Sequence, residues 1–147
     1  MAAGSAALAA DSEAARANAA VVRAFFREVL AGGAPGAARS FLTDDFVDHD
    51  PAAPGGPEAV AAKLAALWRA FPDGRFELLE LVAAGDRVAA RSRLVGTQTG
   101  AFGALAPSGR PVDVAFFDLY RIERDRIAEH WHVYDEAGLL RALTSGG

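Results

Sequence analysis

The sequence predicts an α+β domain in which N-terminal helices pack on one face of a curved, mostly antiparallel sheet. Two observations support this prediction. Apolar residues recur at helical spacing as far as residue 71, and from residue 75 onward they alternate with a period of two. Helices followed by a run of strands are typical of α+β domains, because the strands pair with one another and the helices cover one face of the resulting sheet.

Length and composition restrict the classes of protein that need to be considered. The chain has 147 residues, 52% of them hydrophobic, which suits one domain over residues 12–147 preceded by a flexible N-terminus at 1–11. A net charge of −4 without any basic run argues against nucleic-acid binding. The absence of cysteine excludes disulfides and thiolate metal sites. No apolar run reaches ~18 residues, and the Ala-rich start lacks the pattern of a secretory signal, so no membrane association and a cytoplasmic location are expected.

The first helix is expected to begin near Glu13, with Asp11 or Ser12 as its N-cap. It should end at the glycine-rich segment 31–36. Its apolar residues recur at the spacing of one helical face: Val21, Val22, Phe25, Phe26 and Val29.

A short helical piece over 37–42 is expected to lead into an irregular loop over 43–57, which is rich in Asp, Pro and Gly. Pro57 then suits the first position of a second helix, because its missing N–H is not needed there. This helix has one apolar stripe and should stop at Pro72. The stripe consists of Val60, Leu64, Leu67 and Phe71.

Four strands joined as hairpins are expected to follow, separated by the turn signals "AGD", "PSGRP" and "ERDR". Their predicted ranges are 75–83, 86–98, 111–123 and 126–134. The Gly-rich segment 99–109 is predicted to form a long connection or a lid. A short terminal helix over 135–143 should use Asp135 as its cap.

The last two predicted strands bring chemically active side chains together. His130 and His132 share one face of their strand, because residues two apart in a strand point the same way. Pairing around the "RDR" turn places Asp118 opposite His132 and Tyr120 opposite His130. On the strand 111–123, the face opposite Asp118 carries the charged residues Arg121 and Glu123. The face with Asp118 is therefore the one expected to lie under the helices.

A carboxylate opposite an imidazole can orient the ring and raise its basicity. In an apolar pocket such a pair can remove a proton from a carbon next to a carbonyl, a step that a well-placed base accelerates by about 10²–10⁴-fold. Two alternatives remain open for the two histidines. They could line the pocket without catalysing a reaction, or they could bind zinc or iron together with His49 and an acid.

Further candidate residues lie outside the two last strands. His49, between Asp48 and Asp50, could reach over the mouth of a pocket, although the same acids also suit turn formation. Phe116, on the same face as Asp118, and Trp68 are candidate substrate contacts, with core packing as the alternative role for each.

Three blocks of the sequence resemble the SnoaL-like polyketide cyclase family, within the superfamily that includes nuclear transport factor two and ketosteroid isomerase. They cover about residues 20–143, and only their combination is specific. The blocks are "FLTDDFVDHDP", "GPEAVAAKLAALWRAFPDGRFELLELVAAGDRVAARSRLVGTQTG" and "PSGRPVDVAFFDLYRIERDRIAEHWHVYDEAGLLRAL".

The resemblance implies a cone-shaped fold in which a long bent helix and a curved sheet enclose an apolar pocket, usually in a dimer formed through the outer sheet faces. It also implies ring closure of a polyketide ester by intramolecular aldol condensation, without metal or cofactor. The family's acid/base Asp and His fall on His132 and Asp118 with the residue types exchanged, which makes His132 the base and Asp118 its orienting partner. The family's common "GTHTG" reads "GTQTG" here, so Gln98 can form hydrogen bonds but cannot titrate.

The leading hypothesis is a cofactor-independent acid/base enzyme for an apolar carbonyl compound. The candidate donors to the developing enolate oxygen are Tyr120, His130, His49 and Gln98. Isomerisation or dehydration in the same pocket is the nearest enzymatic alternative. A non-catalytic, dimeric binding module and a metal-dependent hydrolase are the alternatives of a different class.

Overall fold

A computed structural model describes residues 6–31, 34–50 and 55–145. It shows a six-stranded mixed sheet with strand order β1-β3-β4-β5-β6-β2, covered by helices. The predicted α+β class is therefore confirmed. The helices are α1 (Glu13–Phe25), continued by a π-helical turn (Phe26–Leu30), a 3-10 helix (Pro35–Phe41), α2 (Pro57–Ala70) and α3 (Glu136–Thr144). The strands are β1 (Ala7–Ala10), β2 (Leu42–Asp48), β3 (Arg75–Ala84), β4 (Arg87–Thr97), β5 (Pro111–Glu123) and β6 (Arg126–Tyr134).

The N-terminal segment differs from the prediction of a flexible tail through residue 11. Ala7–Ala10 forms β1, an edge strand that pairs in parallel with β3 and places Leu8 beside Leu81. An edge strand needs only backbone hydrogen bonds on one side, and alanines supply these without the alternating pattern by which a strand is recognised. The rest of the predicted tail, residues 1–5, lies outside the described residues.

The first helix begins where the sequence predicts. The Ser12 side chain accepts a hydrogen bond from the Ala15 N–H at 3.1 Å, and this cap starts α1. At its C-terminal end the helix widens into the π-helical turn, a feature that often marks functional sites. The rings of Phe25 and Phe26 both meet Tyr120 edge-on, with centroids 6.3 and 6.5 Å away. This end of the helix is thereby packed directly against β5.

The prediction of an irregular loop over 43–57 is wrong for its first part, which forms the strand β2. Leu42–Asp48 pairs in parallel with β6 at the edge of the sheet, with Asp48 beside His130. The exposed acids Asp44 and Asp45 interrupt the apolar alternation, which explains why the sequence pattern does not show a strand. Residues 51–54 lie outside the described residues.

The four hairpin strands predicted from residue 75 onward are confirmed as β3 to β6, each antiparallel to the next. A β-bulge near Ala128 changes the register of β5 and β6 by one residue. On one side of it Ile122 pairs with Ile127, and on the other side Asp118 pairs with His132. Because a one-residue slip turns every side chain to the opposite face, the bulge puts the histidines of β6 on the helix-covered face.

The Gly-rich segment 99–109 connects β4 to β5 and passes over the end of α2. The N–H groups of Thr99 and Gly100 both donate to the Ala70 carbonyl. A side chain at Gly100 would collide with the helix, since its Cβ would lie 2.1 Å from the Arg69 carbonyl oxygen. This contact fixes the start of the connection against α2.

The two remaining helices match their predicted starts. Pro57 is the first residue of α2, and the Asp135 carboxylate accepts a hydrogen bond from the Gly138 N–H at 2.8 Å to cap α3. Among the helices of the described residues, none combines the length and apolar character needed to cross a lipid bilayer.

Candidate active site

A cavity of about 360 Å³ lies between the sheet and the helices. Most of its wall is apolar and comes from the end of α1, from α2, from the strands and from the connection between β4 and β5. Its apolar lining includes Phe25, Phe26, Phe46, Leu64, Leu67, Phe76, Leu94, Phe102, Phe116, Ile127 and Leu139. A pocket of this kind, apolar with a few converging polar groups, is the usual form of a small-molecule site.

The polar groups of the cavity lie together on one part of its wall. Strands β5 and β6 contribute Asp118, His130 and His132, because these residues share the helix-covered face. The Asp118 carboxylate Oδ1 lies 2.7 Å from His130 Nε2, which is a short hydrogen bond. The rings of His130 and His132 lie with their centroids 5.2 Å apart. Both histidine side chains are largely buried.

The edge strand β2 and helix α2 complete this polar group. Asp48 lies beside His130 and has its Oδ1 3.4 Å from His130 Nδ1. Asp50, two residues further along, has its Oδ2 3.5 Å from His132 Nε2. Lys63 of α2 donates through Nζ to Asp48 Oδ2 at 2.7 Å and to Asp50 Oδ2 at 3.2 Å. Each histidine of β6 therefore has its own carboxylate on the β2 side.

The electrostatics of the cluster favour the charged form of His130. Burial by itself lowers the pKa of His130, but the hydrogen-bonded and ion-paired contacts with Asp118 and Asp48 outweigh burial and raise that pKa to about 9. Burial likewise raises the pKa of Asp48, yet the contacts with His130 and Lys63 outweigh it and hold that pKa well below its usual range. His130 is consequently an imidazolium at neutral pH, held between two carboxylates.

His132 behaves in the opposite way. Its burial and the positive charge on His130 lower its pKa below the ordinary value of 6.5, and they outweigh the attraction of Asp118 and Asp50. His132 is therefore a neutral imidazole at neutral pH and can accept a proton. The phenol of Tyr120, stacked on His130 with centroids 4.8 Å apart, keeps its proton because burial and then the charges of Asp118 and Asp48 raise its pKa.

The predicted cross-strand pairing is confirmed, but the hydrogen bond is not the one that the pairing suggests. Asp118 lies opposite His132 and Tyr120 opposite His130. Asp118 nevertheless bonds to His130, its diagonal neighbour, as side chains two positions apart on adjacent strands can do. The expectation that Asp118 orients His132 directly is therefore corrected. Asp118 holds His130, and His130 lies next to His132.

Three candidate substrate contacts do not line the cavity, so those predictions are corrected. His49 lies on the outer side of the sheet, where its ring stacks on Trp131 at 4.6 Å and its Nε2 lies 3.2 Å from Glu129 Oε1. Outward orientation follows from strand alternation, because the inward positions are taken by Asp48 and Asp50. The flanking acids also form a turn, in which the Asp50 N–H donates to Asp48 Oδ1 at 3.1 Å.

Gln98 and Trp68 have packing roles. The fully buried Gln98 side chain donates to the Ala106 carbonyl at 3.2 Å and thereby holds the connection between β4 and β5. Trp68 packs against Phe76 with ring centroids 6.0 Å apart. Neither side chain lines the cavity. The candidates that do line it are Asp118, His130, His132, Tyr120 and Phe116.

Neither the role of Lys63 nor the inward orientation of Asp48 and Asp50 was expected from the sequence. One signal for Lys63 was present in the sequence: it lies three residues after Val60 and four before Leu67, on the same face as the apolar stripe of α2. A lysine on the buried face of a helix calls for a partner, and Asp48 provides it. The acids could not be placed, because the strand β2 that orients them was not recognised.

Asp118, His130 and His132 also form the group, within the described ranges, whose potential metal-ligating atoms all lie within 4.8 Å of one another. An ion at this position would have to compete for atoms that are already engaged. Both ring nitrogens of His130 face carboxylates, and Asp118 Oδ1 accepts one of these bonds. The arrangement therefore fits a hydrogen-bonded acid/base cluster better than a metal centre.

Comparison with known proteins identifies the family of this domain. Residues 20–143 match the family model described as SnoaL-like polyketide cyclase. The chain belongs to the SnoaL-like polyketide cyclase family. This finding confirms the resemblance seen in the sequence. No curated protein matches this SnoaL-like chain significantly.

Solved structures share the fold of this SnoaL-like chain over nearly its whole length. A candidate SnoaL-like polyketide cyclase from Jannaschia sp. CCS1 is 25% identical with a TM-score of 0.83, covering 93% of this chain and 98% of that one. TsrD from Streptomyces laurentii is 27% identical with a TM-score of 0.79, covering 89% and 97%. IdmH from Streptomyces antibioticus, a candidate polyketide cyclase, is 24% identical with a TM-score of 0.75, covering 86% and 97%, and shows similarity of fold alone.

Proposed function

We propose that this chain is a cofactor-independent acid/base enzyme for an apolar, carbonyl-bearing small molecule, and that it cyclises a polyketide ester by intramolecular aldol condensation. One observation carries the proposal: in the wall of an otherwise apolar cavity, His130 is held between Asp118 and Asp48 and lies beside His132. These contacts raise the pKa of His130, whereas burial and the charge of His130 lower the pKa of His132. Membership of the SnoaL-like polyketide cyclase family supports the same substrate class.

In the proposed reaction His132 is the base. It accepts the proton from the carbon next to a carbonyl, and the electron pair of the broken C–H bond moves into an enolate. The enolate carbon attacks a second carbonyl carbon of the same molecule to form the new C–C bond. The alkoxide so produced takes the proton back from His132, so that no external acid or oxidant is consumed.

The other residues of the cluster stabilise charge in this scheme. The His130 imidazolium, fixed by Asp118 and Asp48, lies next to the base, where negative charge develops on the substrate. Preorganised positive charge in an apolar, water-poor site often contributes the largest part of such catalysis. The Tyr120 phenol retains its proton and provides the wall beside His130. Phe116, edge-on to His132 at 6.1 Å, is proposed to contact the substrate.

The first step can be tested without knowing the natural substrate. 2-Acetonaphthone is an apolar aryl ketone with exchangeable methyl protons, and its deuterium uptake in D₂O can be followed by NMR. We expect the wild-type protein to accelerate the exchange and His132→Gln to reduce that acceleration by about 10²–10⁴-fold. Retention of full acceleration in His132→Gln, with the fold intact by circular dichroism, would exclude His132 as the base.

Isomerisation and dehydration begin with the same proton transfer and are the nearest alternatives for the later steps. A non-catalytic binding module differs in the first step itself. It would bind 2-acetonaphthone, shown by shifts of cavity resonances, without accelerating exchange in the wild type. The same NMR samples therefore distinguish a binding module from an enzyme.

We further propose that the chain forms a homodimer through the outer face of the sheet and resides in the cytoplasm. The outer face exposes the apolar side chains of Phe117, Leu119 and Val133, the last at 69% exposure. Such a patch commonly marks an interaction surface. Val133→Glu should shift the mass measured by light scattering from dimer to monomer, whereas Leu140→Glu on α3 should not. A monomeric wild type would refute the dimer.

A further inference from the structure

Lys63 is the single lysine among the 15 Lys and Arg residues of the chain. Its position on α2 is unusual for a cation, because Val60 and Leu64 beside it are buried and face the cavity. Its side chain is 31% exposed and also lines the cavity. Solvation of the helix therefore does not explain a lysine at this position, and the contacts of Lys63 indicate a different role.

The ammonium group of Lys63 joins the two carboxylates that face the histidines. It lies 2.7 Å from Asp48 Oδ2 and 3.2 Å from Asp50 Oδ2. Asp48 in turn lies 3.4 Å from His130, and Asp50 lies 3.5 Å from His132. One cation from the helix layer thus reaches both histidines of the sheet, through one carboxylate each.

We propose that Lys63 is a positioning residue that holds Asp48 against His130 and Asp50 against His132, and that its positive charge balances these two carboxylates. This proposal rests on the proposed function for its catalytic consequence. Its structural part concerns the two histidines alone and can be tested without any substrate.

Charge balance explains why a cation is needed at this place. The two rings are approached by Asp48 and Asp50 from the β2 side and by Asp118 from β5, and His130 provides one positive charge. Without Lys63, the excess negative charge would favour a second proton in the cluster, and His132 is the group that could take it. Lys63 opposes protonation of His132, whereas Asp50 and Asp118 favour it.

The groups that face His132 come from every element packed around it. They are Asp118 of β5, His130 of β6, Asp50 after β2 and Lys63 of α2, and Tyr134 lies next along β6 with its ring 5.9 Å away. Lys63 lowers the pKa of His132, whereas Asp50 raises it. This opposition distinguishes a positioning role from a purely structural one.

The test compares Lys63→Met, Lys63→Arg and Asp50→Asn with Arg69→Met, which removes an exposed cation from the same helix. Histidine ring nitrogens are followed by NMR through a pH titration, and exchange of 2-acetonaphthone is measured at saturating concentration. Lys63→Met should move the titration of His132 upward by about half a pH unit, and Asp50→Asn should move it downward. Lys63→Met should slow exchange about tenfold, with most of the rate restored in Lys63→Arg.

The outcomes separate this proposal from the proposed function. If the titration of His132 shifts upward in Lys63→Met and downward in Asp50→Asn while neither the wild type nor any variant accelerates exchange, the positioning role holds and the enzyme assignment fails. If Lys63→Met leaves both histidine titrations as they are in Arg69→Met, the positioning role is wrong. Should Lys63→Met fail to fold, two other variants test the positioning role. His132 should titrate at lower pH in Asp50→Asn and at its wild-type pH in Lys63→Arg. If neither result is obtained, the positioning role is wrong.

Discussion

The two faces of strand β6 carry histidine–carboxylate pairs in contrasting settings. On the cavity face, His130 is 15% exposed and lies between Asp118 and Asp48. On the outer face, the 37% exposed His49 from the segment after β2 lies 3.2 Å from Glu129. The outer pair is solvated and competes with water, whereas the inner pair does not. Burial decides how strongly a histidine and a carboxylate in contact interact, because solvent screens an exposed pair.

This contrast predicts that the rate of deuterium exchange into 2-acetonaphthone depends on pH through the histidines of the cavity face alone. The proposed reaction requires neutral His132 and charged His130. The rate should therefore fall in acid below the lowered pKa of His132, by about tenfold per pH unit at the limiting slope, and fall again above about pH 9 as His130 loses its proton. Rates measured from pH 4 to 10 check this, and His49→Ala should show the same two limbs. Loss of either limb in His49→Ala would contradict the contrast.

The inner face should also control how stability depends on pH. The pKa of His130 is raised in the folded state to about 9, so its contribution is complete below 6.5 and disappears as the pH rises through 9. The free energy of unfolding should fall over this window by up to about 3 kcal/mol, and His130→Gln should abolish that fall. Urea unfolding at pH 6.5 and pH 9 measures it. An equal fall in His130→Gln would assign the effect to other groups.

The smallest effect is expected on the outer face. His49→Ala removes the solvent-exposed contact with Glu129 and a ring stacked on Trp131, which Arg87 also approaches at 5.6 Å. The stability should change by no more than about 1 kcal/mol, and the indole fluorescence of Trp131 should respond. A loss of several kcal/mol would mean that the outer pair matters as much as the inner one.

Much of the fold could be predicted because its signals are local. Hydrophobic periodicity, the Ser12 and Asp135 caps and the turn sequences locate three helices and the four hairpin strands. The two edge strands could not be recognised, since β1 is a run of small residues and β2 is interrupted by Asp44 and Asp45. Both pair in parallel with strands distant in sequence, and no local turn signal marks such a contact.

For the candidate site, the sequence predicts which residues share a face of the sheet, but it does not predict which side chains contact one another. Alternation and hairpin register placed Asp118, His130, His132 and Tyr120 together. Which of two adjacent rings accepts a carboxylate depends on side-chain torsions and sheet twist, and Asp118 reaches His130 diagonally. Lys63 enters from α2, so its contact could be found only once the helix was packed on the sheet.

At neutral pH we expect His130 to be charged and His132 to be neutral, although both lie on one strand. A ¹⁵N NMR titration of the histidine side chains, with His49→Ala, His130→Gln and His132→Gln for assignment, tests it most directly. We expect His130 to remain protonated at pH 8 and His132 to be more than half neutral at pH 6.5. Simultaneous titration of both rings near 6.5 would contradict it.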